Sequence, residues 1–472
     1  MCIRDRGKPL YLIGGKVRDY LAGFSMASSD FDICAPVPAE IFMKTALAAG
    51  FCADAAYART GTMKISLRQN GGNEKNAIKT EAEYAAFRSD KYVRGTHTPA
   101  ETFFTEDILL DARRRDFTCN AVYYDIVADT FVDPLGGMKD IRNNLLRTVD
   151  NPGKVFGEDG LRLLRLARFA GATGFSPTPE TLDGAKTNAA LIADVSPERV
   201  FAELKQILCS ERKYGNADGI YQALEILDET RVLDGIFPDL AAGRNLKQRA
   251  DFHNHDVLEH SLRAAAYSAR ANALAGVFPG IPVPFDVRLA ALLHDIGKPE
   301  AYFRDGKFSD HPNVGAVLAR AALEKLKAPV KTIKLVEALT KYHMYDYDLC
   351  TKENKLRKFI VLHYDIFNEL LLVKQADFSA CKDDFSTAPS VTRLKNLADK
   401  MRAEGAPFTL KELAVRGNEI APLLPSSRYV GATLEALLLH CAVTPADNTK
   451  ERLLRLAPSF AIVGGKNRNA RL

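Results

Sequence analysis

After Asp150-Asn-Pro-Gly153 the chain loses every run that reads as a strand, and a helical spacing of apolar residues continues from Val155 almost to the end. Before that break, short runs rich in β-branched and aromatic residues (Leu10–Ile13, Phe31–Ile33, Thr62–Leu67, Ala121–Ile126 and Thr130–Val132) are mixed with helical stretches. The pattern predicts an α+β head followed by an all-α body. Gln69–Asn76 reads as a loop tip joining two strands, and Gly174–Pro177, Phe278–Pro284 and Pro422–Ser427 punctuate the helices. No internal repeat or low-complexity tract interrupts this plan. Met1–Arg6 runs almost directly into the first strand, which reads as a missing or replaced natural start and would weaken the sheet edge.

A length of 472 residues suggests about three domains, and 47% hydrophobic content supports several cores. Net charge is only +5, so a nucleic-acid partner would need a local basic face. The eight cysteines lie far apart with no C-x-x-C pair. That usage fits reduced thiols in a cytoplasmic protein better than zinc sites or disulfides. No run approaches a membrane span, and no secretory signal is visible.

The chemistry of the head concentrates in Leu12-Ile-Gly-Gly-Lys-Val-Arg-Asp19 and Ser28-Ser-Asp-Phe-Asp-Ile33. Side chains alternate along a strand, so Asp30 and Asp32 point to one side. Two carboxylates that close repel unless a cation lies between them, and Mg²⁺ suits hard oxygen ligands. A metal pair there would activate an attacking hydroxyl and stabilise a leaving pyrophosphate. Gly14 and Gly15 let the backbone approach a triphosphate, with Arg18 placed to meet its charge. Asp-x-Asp alone is weak, but with the glycine pair and Val17-Arg18-Asp19 it favours nucleotidyl transfer.

Other segments of the head suit a nucleotide. Thr60-Gly-Thr62 reads equally as a tight turn and as a close approach to substrate. Arg113-Arg-Arg-Asp-Phe-Thr-Cys-Asn120 leads into an expected strand Asn120–Asp125; Arg115 offers a fork of donors to phosphate, and Asn120 can read a ribose hydroxyl. Asp133–Ile141 reads as a hinge, with Gly136 and Gly137 absorbing the bend. Asp159 and Arg162, one helical turn apart, either mimic a base edge or form an ordinary ion pair near a helix start. Arg165, Arg168 and Arg199 follow as further phosphate-facing cations.

Together Gly14-Gly-Lys-Val-Arg18-Asp19, Asp30-Phe-Asp32, Arg114-Arg-Asp116-Phe-Thr-Cys-Asn120, Asp133–Asp140, Glu158-Asp-Gly-Leu-Arg162-Leu-Leu-Arg165 and Ser196-Pro-Glu-Arg199 resemble class II tRNA nucleotidyltransferases (CCA-adding enzymes) and the related bacterial poly(A) polymerases. The resemblance covers roughly the first half of the chain, in the family's order. It implies a polymerase-β-like head, with a helical neck, body and tail that grip tRNA, and CTP and ATP as substrates. In that picture Asp30 and Asp32 hold Mg²⁺, Asp116 and Asn120 lie near the sugar, and Asp159 with Arg162 reads C and then A. Lys91–Pro99 departs from the family's usual wording, and Cys119 is a mild substitution.

A second constellation resembles the HD phosphohydrolase pattern: His260, the doublet His294-Asp295 at the end of an apolar helix, and Asp377, with His311 and His343 where binuclear members carry extra ligands. Imidazoles with carboxylates suit Mn²⁺, Fe²⁺, Ni²⁺ or Zn²⁺ and hydrolysis of a phosphomonoester or phosphodiester. A helical module retained only for tRNA contact is the bland alternative. The segments after Asp377 resemble the last helices of HD-containing CCA-adding enzymes. The expected division is 1–145 nucleotidyltransferase head, 146–250 nucleotide- and RNA-binding neck and body, 251–385 HD domain and 386–472 tRNA-binding tail. The expected activity is template-independent CCA addition to tRNA. CC-adding, A-adding, poly(A) synthesis and a chiefly hydrolytic enzyme stand as alternatives.

Overall fold

The strand run Tyr11-Leu-Ile13 and the glycine that follows it organise the head. A computed structural model describes residues 8–25, 31–57, 61–68, 79–91, 100–277 and 281–463. Asp30, Thr60, Met1–Arg6, the loop tip at 69–76 and most of the 91–99 segment lie outside them. Among the described residues nine strands build the head: β1 (Tyr11–Ile13), β2 (Phe31–Ala35), β3 (Cys52–Tyr57), β4 (Thr62–Arg68), β5 (Lys79–Ala86), β6 (Arg88–Lys91), β7 (Glu101–Phe104), β8 (Tyr123–Asp125) and β9 (Thr130–Val132). Seven form one sheet in the order β3-β4-β5-β2-β1-β8-β9, while β6 and β7 pair separately. Every contact in the large sheet is antiparallel except β2 with β5.

Alternation along β1 and β2 sends side chains to two cores. Ile33 and Ala35 join Met63, Ile65 and Tyr84 under the helix Ala39–Ala48, where the rings of Phe42 and Tyr84 stack 3.7 Å apart. Tyr11, Ile13 and Cys34 join Phe87, Ala112 and Tyr123 on the other side. Asp32, one residue before Ile33, therefore faces the side of Cys34. Its register partner on β1 is Ile13, which places it beside the Gly14 turn.

The body is helical as expected, apart from a two-residue parallel pairing of Leu145–Leu146 with Ser176–Pro177. Two compact units result: residues 1–241 with 324–328, and residues 242–323 with 329–472. In the first, helices Pro152–Glu158, Leu161–Thr173, Pro197–Ile207 and Gly219–Glu229 continue from the head. In the second, Val257–Ala275, Phe285–Leu293, Val330–Tyr342 and Phe367–Lys382 enclose a core that includes Leu258, Leu289, Val336 and Leu371. Among the described residues no helix is long and apolar enough to cross a membrane.

The segment Asp133–Ile141 is packed tightly. Asp133 accepts hydrogen bonds from Gly137 N (2.7 Å) and Met138 N (2.9 Å) at the start of helix Gly137–Arg142. A Cβ on Gly137 would lie 2.1 Å from the carbonyl oxygen of Thr118. Gly137→Ala is thus expected to force the backbone apart and cost about 1–3 kcal/mol. Thermal unfolding of the purified chain should show an earlier transition, and an unchanged one would contradict this packing.

Candidate active site and metal centre

In the first unit a cavity of about 540 Å³ opens among Gly14, Gly15, Arg18, Asp32, Arg114, Arg115, Asp116, Asn120, Asp159, Arg162, Arg165, Arg168, Phe169 and Lys213. Its size falls within the roughly 300–1,000 Å³ usual for small-molecule sites. Gly14 has φ +74°, and a Cβ there would lie 3.1 Å from Asp32 Oδ2. Glycine therefore permits both the turn and the approach of that carboxylate. Asp32 contributes a hard oxygen donor at the cavity wall, suited to Mg²⁺. The parallel register sets Glu83 of β5 beside Asp32.

Arginines line this cavity because acids anchor them from beneath. Asp111 is fully buried and accepts from Arg114 Nε (2.8 Å), Arg115 Nη2 (2.9 Å) and Tyr123 OH (2.7 Å). Burial opposes its ionisation, but Arg115 and Arg114 outweigh that and bring its pKa down to about 2. Asp116 accepts from Phe117 N and Asn120 Nδ2 on one oxygen and from Arg165 Nε (2.8 Å) on the other. Burial again opposes ionisation, and Arg165 again prevails, holding this carboxyl well below the ordinary range. The ring of Phe169 lies 5.1, 5.2 and 4.4 Å from the guanidinium carbons of Arg18, Arg165 and Arg168.

Several residues stand in settings the sequence did not indicate. Arg18 touches the cavity yet is only 1% exposed. It donates to Asp19 Oδ1 (2.6 and 3.0 Å), Asn120 Oδ1 (2.8 Å) and Tyr214 OH (2.8 Å), and Tyr214 donates in turn to Asp19 Oδ2 (2.6 Å). Asn120 lies in a single tight turn, Thr118–Asn120, rather than in the expected strand. Asp159 and Arg162 do not share a helix face: Asp159 is extended between helices Pro152–Glu158 and Leu161–Thr173, with Arg162 in the first turn of the second. Both still line the cavity. Arg162 donates to Val155 O (2.8 Å) and Arg114 O (2.7 Å), so its position is fixed by two backbone carbonyls. Asp111, Lys213 and Tyr214 carried no motif and were missed.

The second unit gathers all six expected metal ligands. Asp256 caps the helix Val257–Ala275, which carries His260, and helix Phe285–Leu293 ends where His294 and Asp295 begin. His294, His311 and His343 each pair Nδ1 with a backbone carbonyl, of Ala291 (2.8 Å), Phe308 (2.6 Å) and Thr340 (2.7 Å). That contact puts the proton on Nδ1 and leaves Nε2 a lone-pair donor, the usual preparation of a metal ligand. Asp295 Oδ2 lies 3.5 Å from His260 Nε2 and 3.2 Å from His294 Nε2, with Asp377 Oδ1 3.1 Å from His260 Nε2. Asp295 Oδ1 lies 3.2 Å from His311 Nε2 and 3.6 Å from His343 Nε2.

This donor set fits divalent metal ions. Nε2 atoms of His260 and His294 are 3.1 Å apart, and those of His311 and His343 are 3.2 Å apart. For His311 and His343, whose Nδ1 atoms both face carbonyls, bare nitrogens so placed repel unless a cation lies between them. Both Asp295 oxygens are buried without a well-directed hydrogen bond, although Lys298 Nζ stands 2.6 Å from Oδ2. Burial works against protonating these imidazoles and prevails at His260 and His343, whose pKa values fall, while Asp295 and Asp377 outweigh it at His294 and push its pKa up to about 10. A cavity lined by Gln248, Phe252, His253, Lys298, Phe308 and Tyr347 opens onto Asp295, His311 and Asp377.

Both units match known families. Residues 10–147 match the poly A polymerase head domain, 174–243 a probable RNA and SrmB-binding site of polymerase A, and 257–377 the HD domain. An A-adding tRNA nucleotidyltransferase of Deinococcus radiodurans is 30% identical over 463 residues, covering 96% of this chain and 91% of its own. A multifunctional CCA protein of Stenotrophomonas maltophilia is 32% identical over 344 residues, covering 71% of this chain and 75% of its own. The CCA-adding enzyme of Bacillus stearothermophilus, solved with CTP, shares the fold with a TM-score of 0.65 at 24% identity, over 98% of this chain and 96% of that one.

The anchoring of Asp111 has a pH signature. A carboxyl with a depressed folded pKa stabilises above its unfolded value of about 3.9, and that contribution is lost as pH falls through about 2. The shift corresponds to about 2–3 kcal/mol. Asp111→Asn should lower the thermal midpoint at neutral pH, where breaking a buried pair costs about 3–5 kcal/mol. It should also flatten part of the acid-side fall; an unaltered pH profile would contradict the anchoring role.

Proposed function

The chain belongs to the family of tRNA nucleotidyltransferases and bacterial poly(A) polymerases, carries an HD domain, and on that premise we propose that it adds C, C and A to the 3′ end of tRNA from CTP and ATP without a template. The observation that carries this reading is the meeting of Asp159 and Arg162 with Asp32, Arg115, Asp116 and Arg165 around one cavity. A carboxylate acceptor and a guanidinium donor make a base-reading edge out of protein, and a template-free enzyme needs such an edge.

In the proposed reaction the tRNA 3′ hydroxyl attacks the α-phosphorus of the bound triphosphate in line, and pyrophosphate leaves. Arg115, Arg165 and Lys213 offset the triphosphate charge, Asn120 lies toward the ribose, and Asp159 accepts from the base while Arg162 donates to it. Mg²⁺ held by Asp32 together with Asp30 would lower the pKa of the attacking hydroxyl and balance charge on the leaving group. A second reading, addition of the terminal A alone, is favoured by the similarity over 96% of this chain to an enzyme named A-adding.

For the second unit we infer a binuclear metal centre that hydrolyses phosphate esters. His260, His294 and Asp377 would hold one transition-metal ion (Mn²⁺, Fe²⁺, Ni²⁺ or Zn²⁺), His311 and His343 the other, with Asp295 between them. Such ions supply a nucleophile from water at neutral pH.

Extension of a radiolabelled tRNA ending before CCA tests the reaction. Two additions with CTP alone and a third with both nucleotides are expected; addition only to tRNA already ending in CC would select the A-adding reading, and a long A ladder would move the chain to poly(A) synthesis. Asp30→Ala with Asp32→Ala should reduce extension to background while tRNA binding survives, and retained turnover would overturn the metal assignment. Arg162→Ala should damage base choice more than triphosphate affinity; equal loss with all four nucleotides would count against base reading. Transition-metal loading should stabilise the second unit by about 2.7 kcal/mol at a hundredfold excess over Kd and so raise its thermal midpoint. Asp295→Ala should abolish that gain.

A further inference from the structure

His253, His260 and Cys381 offer donor atoms that all lie within 4.8 Å of one another. They come from two elements that are tied together. His253 precedes the helix Val257–Ala275, Cys381 lies in the last turn of Phe367–Lys382, and Asn254 N donates to Cys381 O at 2.9 Å. The rings of His253 and His260 stand nearly perpendicular, 4.9 Å apart.

The hydrogen bonding of these imidazoles differs from that of the neighbouring ligands. His294, His311 and His343 each commit Nδ1 to a backbone carbonyl. His260, fully buried, has no hydrogen-bond partner at Nδ1, and neither has the buried Nδ1 of His253. Burying such atoms without a partner is costly. A buried cysteine alone packs as a small apolar residue, but packing does not account for two partnerless imidazole nitrogens beside it. His260 can give Nε2 to the HD centre and still have a nitrogen uncommitted.

We propose that His253, His260 and Cys381 form an additional metal position beside the HD centre that takes a thiophilic cation such as Zn²⁺. The proposal rests on reading the HD residues as a metal centre. A thiolate with two imidazoles selects Zn²⁺ or Cu⁺ over Mg²⁺ or Mn²⁺. Zn–S of about 2.3 Å and Zn–N of about 2.0–2.1 Å place ligands roughly 3.3–3.7 Å apart, so the three donors need only a small closure. Binding deprotonates the thiol and, with Nε2 of His260 already given to the HD centre, also takes the Nδ1 proton of His260 to leave a bridging imidazolate; both protons pass to solvent. Because His260 is common to both sets, thiophilic metal at this position alters the ligand field of the HD centre and regulates it.

Cobalt substitution tests this without reference to activity. The full chain is stripped with chelator, loaded with Co²⁺ alone, and read for bound cobalt and for absorption. Thiolate ligation gives a near-ultraviolet sulfur-to-cobalt band, while nitrogen and oxygen ligands give only the weaker visible bands. The parent should show both; Cys381→Ser should lose the near-ultraviolet band and one cobalt per chain but keep the visible bands. His343→Gln should keep the near-ultraviolet band, since His343 serves only the far end of the HD centre. Visible bands with no thiolate band in the parent, or a thiolate band that survives in Cys381→Ser, would overturn this position and leave the HD centre standing. No bound cobalt at all would overturn both.

Discussion

An arginine at a cavity wall is held in one orientation only if a counter-charge lies behind it. In this protein three buried carboxylates provide that support: Asp19 beneath Arg18, Asp111 beneath Arg114 and Arg115, and Asp116 beneath Arg165. Without them the guanidinium groups would repel one another and be drawn out into water. With them, donor forks are fixed in advance around a polar cavity, so the ordering entropy of long side chains is spent during folding and not on nucleotide binding. Asp116 also joins the head to helix Leu161–Thr173, which makes the cavity a product of both. Tyr214 makes a second junction of that kind through Asp19.

The second unit follows the same rule with a different outcome. Asp295 is as deeply buried as Asp111, but three of the four imidazoles around it turn Nδ1 to a backbone carbonyl and Nε2 toward the carboxylates, so its surroundings suit a metal rather than an arginine. Lys298 and Lys374 assist from the periphery, the latter by donating to the carbonyl of His343 at 2.7 Å. One chain thus carries an arginine-lined cavity and a cluster of imidazoles and carboxylates, each set by what surrounds a buried acid.

Much of this was legible in the amino-acid sequence, unevenly. The glycine pair, Asp32, Asp116, Arg165 and the six expected HD residues stood out by their spacing, and the structure brings each described set together. The α+β head and helical body followed from periodicity. β3 (Cys-Ala-Asp-Ala-Ala-Tyr) and β5 (Lys-Thr-Glu-Ala-Glu-Tyr-Ala-Ala) did not, because alanine and glutamate favour helices and only pairing within the sheet overrides that preference. The helix assumed for Asp159 and Arg162 breaks at Asp159, where Asp159 Oδ1 accepts from Leu161 N at 2.9 Å. Tyr214 was illegible since its partners Arg18 and Asp19 lie far away along the chain, whereas Asp111 has near partners in Arg114, Arg115 and Tyr123 but belongs to no motif.

Equilibrium binding of CTP, ATP, GTP and UTP to the intact chain with Mg²⁺ and no RNA asks most directly whether protein side chains alone select the base. CTP and ATP should bind more tightly than GTP and UTP by roughly tenfold or more, about 1.4 kcal/mol. Equal affinity for all four would mean that the wall formed by Asp159 and Arg162 does not read the base.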